Sequence, residues 1–583
     1  MTMLPPAEDF SYAAIHAKYG AGLACPADFS FPSHVLDRWA AHDPPLTAIH
    51  WVSHDFGTER RVSYRELSEL SHRAARVFLD HGIKKGDRVM IQLPRVVEFW
   101  VAMFGLQRIG AIAVPGTSLL VAKDLNFRAK ASNAVAFIGC VDSCARFEEI
   151  ASAVGISRVF QVRTAGDTLG ANRVDLQAAV AAVPDGTRCE AKHHRDDLAI
   201  IFFTSGTTSM PKLVLLTAEY MLGHTISGLW YKQAPGRLFL CMADLGWAKA
   251  AYGSLGCFNL GGTYFVQPPP PGAFSPTHLV DALHRYPIST LCAPPTIYRA
   301  LVTSSALAYI RKNPPKTLDH CVGAGEPLNP SCIVEWRKAT GVTIKDAYGQ
   351  SETVICVGNF EGVEVREGSM GKVAPFFKVG IIGPDGEELG TDEEGEIAIR
   401  TDTGGGRCWI FKGYVKNGKI DKREKTHSGK TWYCTGDRGT RDQDGYFWFV
   451  GRDDDVITSS GYRIGPFEIE SALKLHPAVA ESAAVGSPDL ARGEIVKAFV
   501  VLSEEYQEKM RGKGKKEEQE LVLDIQNFFK KVTGPYKVPR EIEFVDPAVG
   551  LPKTVSGKIR RVELRDLEKQ RKADVVKQLK SKL

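Results

Sequence analysis

Along the first two-thirds of the chain, apolar residues gather in short runs separated by segments of helical spacing. DRVMIQL (87–93), AIAVPG (111–116), AVAFIG (134–139), LAIIFF (198–203), RLFLCM (237–242) and TLCAPP (290–295) are short and almost continuously apolar. Such runs predict strands covered on both faces. Between them, SYRELSELSHRAARVFLDHGI (63–83) spaces its apolar residues helically up to Gly82, and FWVAMFGLQRIG (99–110) reads as a second helix. Strands alternating with helices predict an α/β architecture with a largely parallel sheet.

Past residue 370 the pattern changes. KVGII (378–382), GEIAIR (395–400), YFWFVG (446–451) and DVITSSGYRI (455–464) are short strand candidates. They are set off by turn pairs at Asp385 and Gly386, Gly404 and Gly405, and Asp444 and Gly445, which predicts an antiparallel meander. The Lys-rich stretch 416–430 is expected to be a mobile surface loop. Pro466, preceded by Gly465, opens a helix with Ile469, Ala472 and Leu473 on its apolar face. EKMRGKGKKEEQE (508–520) reads as a solvated loop, because its acids and bases nearly cancel.

At 583 residues the chain exceeds what one hydrophobic core usually organises, so two or more domains are expected. A hydrophobic share of 44% and a charged share of 24% are those of a globular protein. The net charge of +5 is small for this length and no basic stripe carries interleaved aromatics, so nucleic acid is not an expected partner. Of twelve cysteines only Cys140 and Cys144 stand close together, with no second pair to complete a zinc site. They read as buried thiols of a reducing compartment. No window approaches about 18 uninterrupted apolar residues, so no transmembrane segment is expected. MTMLPPAEDF matches neither a secretory signal nor a mitochondrial presequence. Ser581, Lys582 and Leu583 spell S-K-L, an address read by the peroxisomal import receptor.

Candidate chemistry lies in five clusters. TSGTTSMPK follows LAIIFF directly and comprises Thr204, Ser205, Gly206, Thr207, Thr208, Ser209, Met210, Pro211 and Lys212. Small and hydroxyl-bearing residues let backbone N–H groups converge while the lysine adds charge. The stretch by itself is a phosphate cradle or a polar turn, and it lacks the spacing of GxxxxGK[ST]. In VGAGEPLNP (322–330), Gly325 and Pro327 admit a flat ligand and Glu326 fixes one end of it, a tight turn being the simpler reading of that stretch alone. DAYGQSE sets Asp346, Ala347, Tyr348, Gly349, Gln350, Ser351 and Glu352 behind the strand-like VTIK, where open α/β sheets bind ligands. Tyr348 offers an aromatic face, Ser351 a hydroxyl and Glu352 a carboxylate for a hard cation such as Mg²⁺. Further on, Asp437 suits a ribose diol, Arg452 the same ribose or a phosphate, and the acids 453–455 a solvated turn or a hinge. Lys558, in PKTVSGKIRR (552–561), is a surface lysine or an ammonium that a flexible Ser–Gly turn carries to a charged phosphoryl oxygen.

In this order the clusters resemble the adenylate-forming enzymes, which include acyl-CoA synthetases, luciferases and peptide-synthetase adenylation domains. The resemblance spans roughly 29–565. GYRIGPFEIESAL (461–473), ARGEIVKAFVV (491–501), VTGPYKVPREIEFV (532–545), LPKTVSGKIRR (551–561) and DLGWAKA (244–250) look most like medium-chain acyl-CoA synthetases. It implies a large N-terminal ATP- and acyl-binding domain (1–453) of layered α/β structure with parallel sheets and a β-rich subdomain, and a small mobile α+β C-terminal domain (454–583). It also implies two half-reactions. A carboxylate attacks the α-phosphate of Mg-ATP to give acyl-AMP and pyrophosphate, and coenzyme A then displaces AMP.

By the same resemblance the 204–212 loop holds the outer phosphates, Glu352 holds Mg²⁺, Ser351 meets the α-phosphate and Lys558 bridges carboxylate and α-phosphate. Adenine lies between Gly325–Pro327 and Tyr348, with Asp346, Ala347, Gly349 and Gln350 around it and Asp437 and Arg452 on the ribose. Asp454 is the hinge. Ser460, Gly461, Tyr462, Arg492, Lys530 and Arg540 contact coenzyme A, Arg463 reaches the adenylate or substrate, and Trp247 lines an acyl tunnel with Cys257 and the Gly-rich 253–262. Three positions depart from the family pattern: Ser209 and Leu213 stand where glycines are usual, and Leu119 where some relatives are polar. A serine forced to positive φ at 209 costs roughly 1 kcal/mol.

The expected activity is therefore an acyl-CoA synthetase for a medium-chain or aromatic acid. The alternatives are an enzyme passing its acyl-AMP to oxygen or another non-CoA acceptor, as luciferases do, and a degenerate acyl- or nucleotide-binding protein. Ser209 motivates the last, and the presence of Glu352, Asp437, Arg452 and Lys558 speaks against it.

Overall fold

The computed structural model describes residues 9–580 apart from 21, 165, 205–210, 273, 326–327, 329, 404–408, 417–418, 460–461, 490–491, 534–536 and 555–557, and apart from the side chains of 416, 463 and 575–580. The chain packs as two compact units, Met1–Val379 with Ile399–Tyr433, and Gly380–Ala398 with Cys434–Leu583.

The first unit is built on the short apolar runs. Arg88–Gln92, Ile112–Pro115, Ala134–Gly139, Arg158–Gln161 and Leu198–Thr204 pair in parallel within a nine-stranded sheet. Helix Tyr64–Asp80 begins where the Ser63 hydroxyl accepts the Glu66 N–H at 3.0 Å, and the chain leaves it through Gly82 at φ +76°. It packs tightly on helix Glu98–Arg108, since a Cβ at Gly105 would stand 2.7 Å from the Ala74 methyl. The second sheet of this unit runs in parallel through Ile344–Tyr348, His320–Ala324, Ile288–Ala293, Leu238–Cys241, Thr263–Val266 and Thr47–Val52. Leu240, Leu291, Cys321, Ile344, Tyr298 and Trp336 fill one of its faces. Because these strands are parallel, their carboxyl ends open along one edge, the usual place for ligands in such sheets.

Two polar stretches are more ordered than their composition predicts. Within 416–430, Lys419–Asp421 pairs with Gly413–Lys416, and Glu424–His427 pairs with Lys430–Tyr433 across Ser428 (φ +48°) and Gly429 (φ +77°). Positive φ at both turn residues gives the twist that a two-residue hairpin needs, and solvent-facing strands tolerate lysines as well as loops do. Within 508–520, only 511–514 is a turn; the rest belongs to helices Glu504–Met510 and Lys515–Val532. The second helix starts where Glu517 accepts the Gly514 N–H at 3.1 Å, and it buries Leu521, Ile525 and Phe529 at helical spacing.

The second unit contains the expected antiparallel pairing, with Asp437 opposite Arg452 and Arg441 opposite Phe447, and Gly445 at φ +83° in the turn. It also contains a five-stranded sheet of Ile457–Ser459, Tyr462–Ile464, Val479–Asp489, Gly493–Leu502 and Glu541–Phe544. Helix Pro466–Leu473, opened by its proline, and helix Lys515–Val532 cover that sheet with Ile469, Leu473, Ile525 and Phe529. Helices and strands are segregated here, which is an α+β arrangement.

Candidate active site

Thr204 ends its strand directly opposite Lys212, so the two ends of the proposed cradle leave the sheet side by side. Ser205–Met210, including Ser209, lie outside the described residues. Leu213 is a strand residue opposite Phe203 and packs on the core beneath it, so this departure from glycine needs no unusual backbone. The strand Lys212–Thr217 also pairs with Gly413–Lys416, placing Tyr414 beside Val214. The Tyr414 phenol donates to the Glu352 carboxylate, and the Lys212 ammonium stands 5.4 Å from the centre of the Tyr414 ring. Burial and the adjacent carboxylate push the Tyr414 phenol up, so it stays a donor. A short chain thus joins the exit of the cradle to the carboxylate assigned to the cation.

Glu352 is 7% exposed and is held by a loop with little freedom. Gln350 N–H donates to Thr353 Oγ1 at 2.9 Å, Phe411 N–H to the Glu352 carbonyl at 2.7 Å, and the Tyr433 phenol to Gln350 Oε1 at 3.0 Å. From below, the Tyr220 phenol donates to the Ser351 and Thr353 carbonyls at 3.2 and 3.0 Å, and the Tyr252 phenol to the Thr353 carbonyl. A Cβ at Gly349 would lie 2.6 Å from the Val354 carbonyl oxygen, so the loop closes only on glycine. Among the described residues no group of three or more His, Cys, Asp or Glu could hold a metal. Mg²⁺ keeps several waters and uses one or two carboxylates plus substrate phosphates. A single buried carboxylate therefore fits a cation that arrives on the nucleotide.

Gly325 and Tyr348 are neighbours by topology, since Ala324 pairs with Ala347 on adjacent parallel strands and each segment leaves at the carboxyl end. Glu326 and Pro327 lie outside the described residues. Gly325 is at φ +99°, and a Cβ there would approach Lys249 Nζ at 3.1 Å. That ammonium donates to the Ala324 carbonyl. Burial pushes the Asp346 carboxyl up to about 7, against the pull of the Ala347 and Leu328 N–H groups and of Lys249. Trp247, half-buried, precedes helix Ala248–Asn259 at the end of a third parallel strand. The Gly-rich stretch behind it serves close packing: a Cβ at Gly256 would lie 2.8 Å from the Gly228 nitrogen on the facing helix. Cys257 is fully buried with its thiol on Gln233, and burial pushes that thiol up.

In the second unit Arg452 Nε lies 3.2 Å from Asp437 Oδ1, the buried acid forming a pair with the half-exposed guanidinium. The three acids that follow have different partners. Asp453 meets Arg438 at 3.5 Å, on the hairpin strand Lys430–Arg441, whereas Asp455 binds Arg565 and lies 3.6 Å from Arg561 on the last helix. Asp454, between these two tethers, lies 3.9 Å from Arg452 Nε. Lys558 is exposed; Thr554 N–H donates to its carbonyl at 2.7 Å and its own N–H donates to Thr554 Oγ1 at 3.1 Å, and residues 555–557 between them lie outside the described residues. Three residues later Arg561 makes a forked contact with Glu470 at 2.9 and 2.7 Å, anchoring this stretch to helix Pro466–Leu473. Of the residues expected to contact coenzyme A, Ser460 and Gly461 lie outside the described residues, as does the side chain of Arg463, expected to reach the adenylate or substrate. Pairing of Ser459 with Gly493 and with Tyr462 brings the exposed Tyr462 and the half-buried Arg492 near one another. Lys530 reaches Asn527 on its own helix, and Arg540 is linked to that helix through Gln526.

The residues that the motifs missed come from other elements. Tyr220, Tyr252 and Tyr414 carry no local signal, because each meets the 349–353 loop from a distant part of the chain. Lys249 was visible in DLGWAKA but had no role there.

Comparison with known proteins gives the family. Residues 36–415 match the AMP-binding enzyme family and 468–558 match the AMP-binding enzyme C-terminal domain. The human acyl-coenzyme A synthetase ACSM3, mitochondrial, is 40% identical over 562 residues, covering 94% of this chain and 91% of that one. Human ACSM4, mitochondrial, is 40% identical over 93% of this chain and 91% of its own. Among solved structures, the Brucella canis acyl-CoA synthetase is 33% identical with a TM-score of 0.69, covering 98% of this chain and 100% of that one. The anthranilate CoA ligase AuaEII in complex with anthranoyl-AMP is 25% identical with a TM-score of 0.80, over 94% and 99%. With residues 36–415 and 468–558 matching the two models in order, the chain belongs to the AMP-binding, adenylate-forming enzyme family.

Proposed function

We propose that the protein is an ATP-dependent, AMP-forming acyl-CoA synthetase whose acid is a medium-chain fatty acid or an aromatic acid. The observation that carries this reading is the Lys212–Tyr414–Glu352 chain at the mouth of the cradle, beside the carboxyl ends of parallel strands. In-line attack on an α-phosphate calls for positioning and charge neutralisation more than for covalent help. Lys212 and the loop before it would hold the outer phosphates, Glu352 the cation, and Ser351 the α-phosphate. Mg²⁺ bound there supplies positive charge to the phosphate oxygens. Asp437 and Arg452 would take the ribose, and Tyr348 with Gly325–Pro327 the adenine.

For the first half-reaction Lys558 joins the attacking carboxylate to the α-phosphate. The C-terminal domain, 454–583, then turns about Asp454 and presents Tyr462, Arg492, Lys530 and Arg540 to coenzyme A. The different tethers of Asp453 and Asp455 support a pivot between them. Acid-dependent exchange of pyrophosphate into ATP tests the activity. Exchange with hexanoate, octanoate or benzoate is expected, with thioester on adding coenzyme A. Exchange without thioester would point to a non-CoA acceptor, and no exchange with any acid would refute the reading.

The relatives named above are mitochondrial by name, whereas this chain carries Ser581–Lys582–Leu583, which lie outside the described residues. We propose peroxisomal delivery through that tripeptide. Removing Leu583 from a fluorescent fusion that ends in the native tail is expected to leave it in the cytosol; unchanged import would refute the address.

A further inference from the structure

Among the described residues three lysines and arginines are buried, and two of them are paired. Arg108 meets Asp37 at 2.6 Å and Glu190 at 3.0 Å, and Lys497 meets Glu568 at 2.7 Å and Glu543 at 2.8 Å. The third, Arg128, is 7% exposed, and its guanidinium has no hydrogen bond or ion pair. A buried charge without an acceptor is costly, so such groups are ordinarily paired or bound to a ligand. Asp124, the acid whose charge acts on it, is exposed one turn back on the same helix, Ala122–Ser132. Burial pushes the guanidinium down to about 10, so it keeps its charge at neutral pH.

The guanidinium lies over the Phe203 ring, 4.9 Å from its centre. The ring holds one face of the guanidinium and leaves its N–H edge, the fork that matches a phosphate. None of its nitrogens is among the sealed, unpartnered atoms of the described residues, so that edge keeps an opening. Phe203 directly precedes Thr204, at the strand end from which the proposed cradle leaves. Opposed residues of an antiparallel pair share a face, and successive residues alternate. Thr204 and Lys212 therefore face one side of the sheet, with Tyr414. Phe203 and Leu213 face the other, in the core that also takes Leu125 and Ala129 of the Arg128 helix. The strand ends thus carry a cation on each side, Lys212 on one and Arg128 on the other. All of these residues are described ones.

We infer that Arg128 is a second phosphate-binding residue, taking a phosphate oxygen on the side of the sheet away from Lys212. With the acyl-CoA synthetase reading, on which this assignment rests, the phosphate belongs to the outer pair of ATP or to coenzyme A. The test is calorimetric titration of the full chain with inorganic pyrophosphate and, separately, with coenzyme A, for the parent and for Arg128→Met. Methionine keeps a flexible apolar stem over Phe203 and removes the charge. Loss of a charge-assisted contact is expected to weaken the ligand that makes it roughly 10- to 100-fold. Because the substitution removes an unpaired buried charge, the unfolding temperature is expected to stay at or above that of the parent. Selective weakening of pyrophosphate assigns the phosphate to ATP, and selective weakening of coenzyme A assigns it to that substrate. Loss of both at an intact unfolding temperature places Arg128 on a position that the two share. Unchanged affinity for both overturns the assignment alone, and so does loss of both with a lowered unfolding temperature, which is the mark of a residue that only supports the fold. A parent that binds neither ligand overturns it together with the acyl-CoA synthetase reading.

Discussion

Lys558→Ala is expected to lower acid-dependent pyrophosphate exchange on the order of 10²- to 10³-fold, the range seen when one group that stabilises developing charge is removed. Formation of thioester from supplied acyl-AMP and coenzyme A should change by no more than about twofold. The split follows from where the lysine sits. Its backbone is fixed by Thr554 on one side and by the Arg561–Glu470 fork on the other, while the side chain stays exposed. Truncating this exposed side chain removes an ammonium from an anchored backbone, so the loss should track the chemistry that uses it. A quench-flow measurement of the two half-reactions distinguishes the outcomes. Equal loss in both would mean that Lys558 supports the fold or serves both steps, and the two-state assignment would fail.

Glu352→Gln should give the second large effect, again on the order of 10²- to 10³-fold in exchange, with a higher Mg²⁺ requirement. Glutamine is nearly isosteric and can still accept from the Tyr414 phenol, so the variant removes charge rather than packing. Tyr414→Phe is the control, because it removes the phenol and leaves the carboxylate, and should cost far less. Titrating Mg²⁺ against exchange rate for the three proteins decides the matter. A Glu352→Gln enzyme with the parent Mg²⁺ curve would remove Glu352 from the cation site.

Much of the fold was legible because it depends on local periodicity. LAIIFF, AVAFIG and TLCAPP became strands of parallel sheets, and the helix after Ser63 began at its cap, because burial on both faces and capping leave marks within a few residues. The stretches 416–430 and 508–520 were misread for the complementary reason. Their lysines and glutamates face solvent from strands and helix ends, and composition alone does not tell a solvated strand from a loop.

The site divides along the same line. Glycines, hydroxyls, a carboxylate and lysines at fixed offsets marked the 204–212 stretch, the Glu352 loop and the Lys558 stretch as candidates, each with a bland alternative until their order was taken together, because each chemistry needs particular groups within one short segment. Residue order could not show that Tyr414 bonds Glu352, that Tyr220 and Tyr252 brace the loop below it, or that Asp453 and Asp455 answer to different elements. Nor could it show that Leu213 rests on a core instead of closing a loop. Those contacts join residues tens to hundreds of positions apart, and only packing of the sheets brings them within hydrogen-bonding distance. By its own residues the TSGTTSMPK segment read as a phosphate cradle or a polar turn; that Lys212 leaves it beside Tyr414, which bonds a buried carboxylate, was decided by strand pairing, which a linear pattern does not encode.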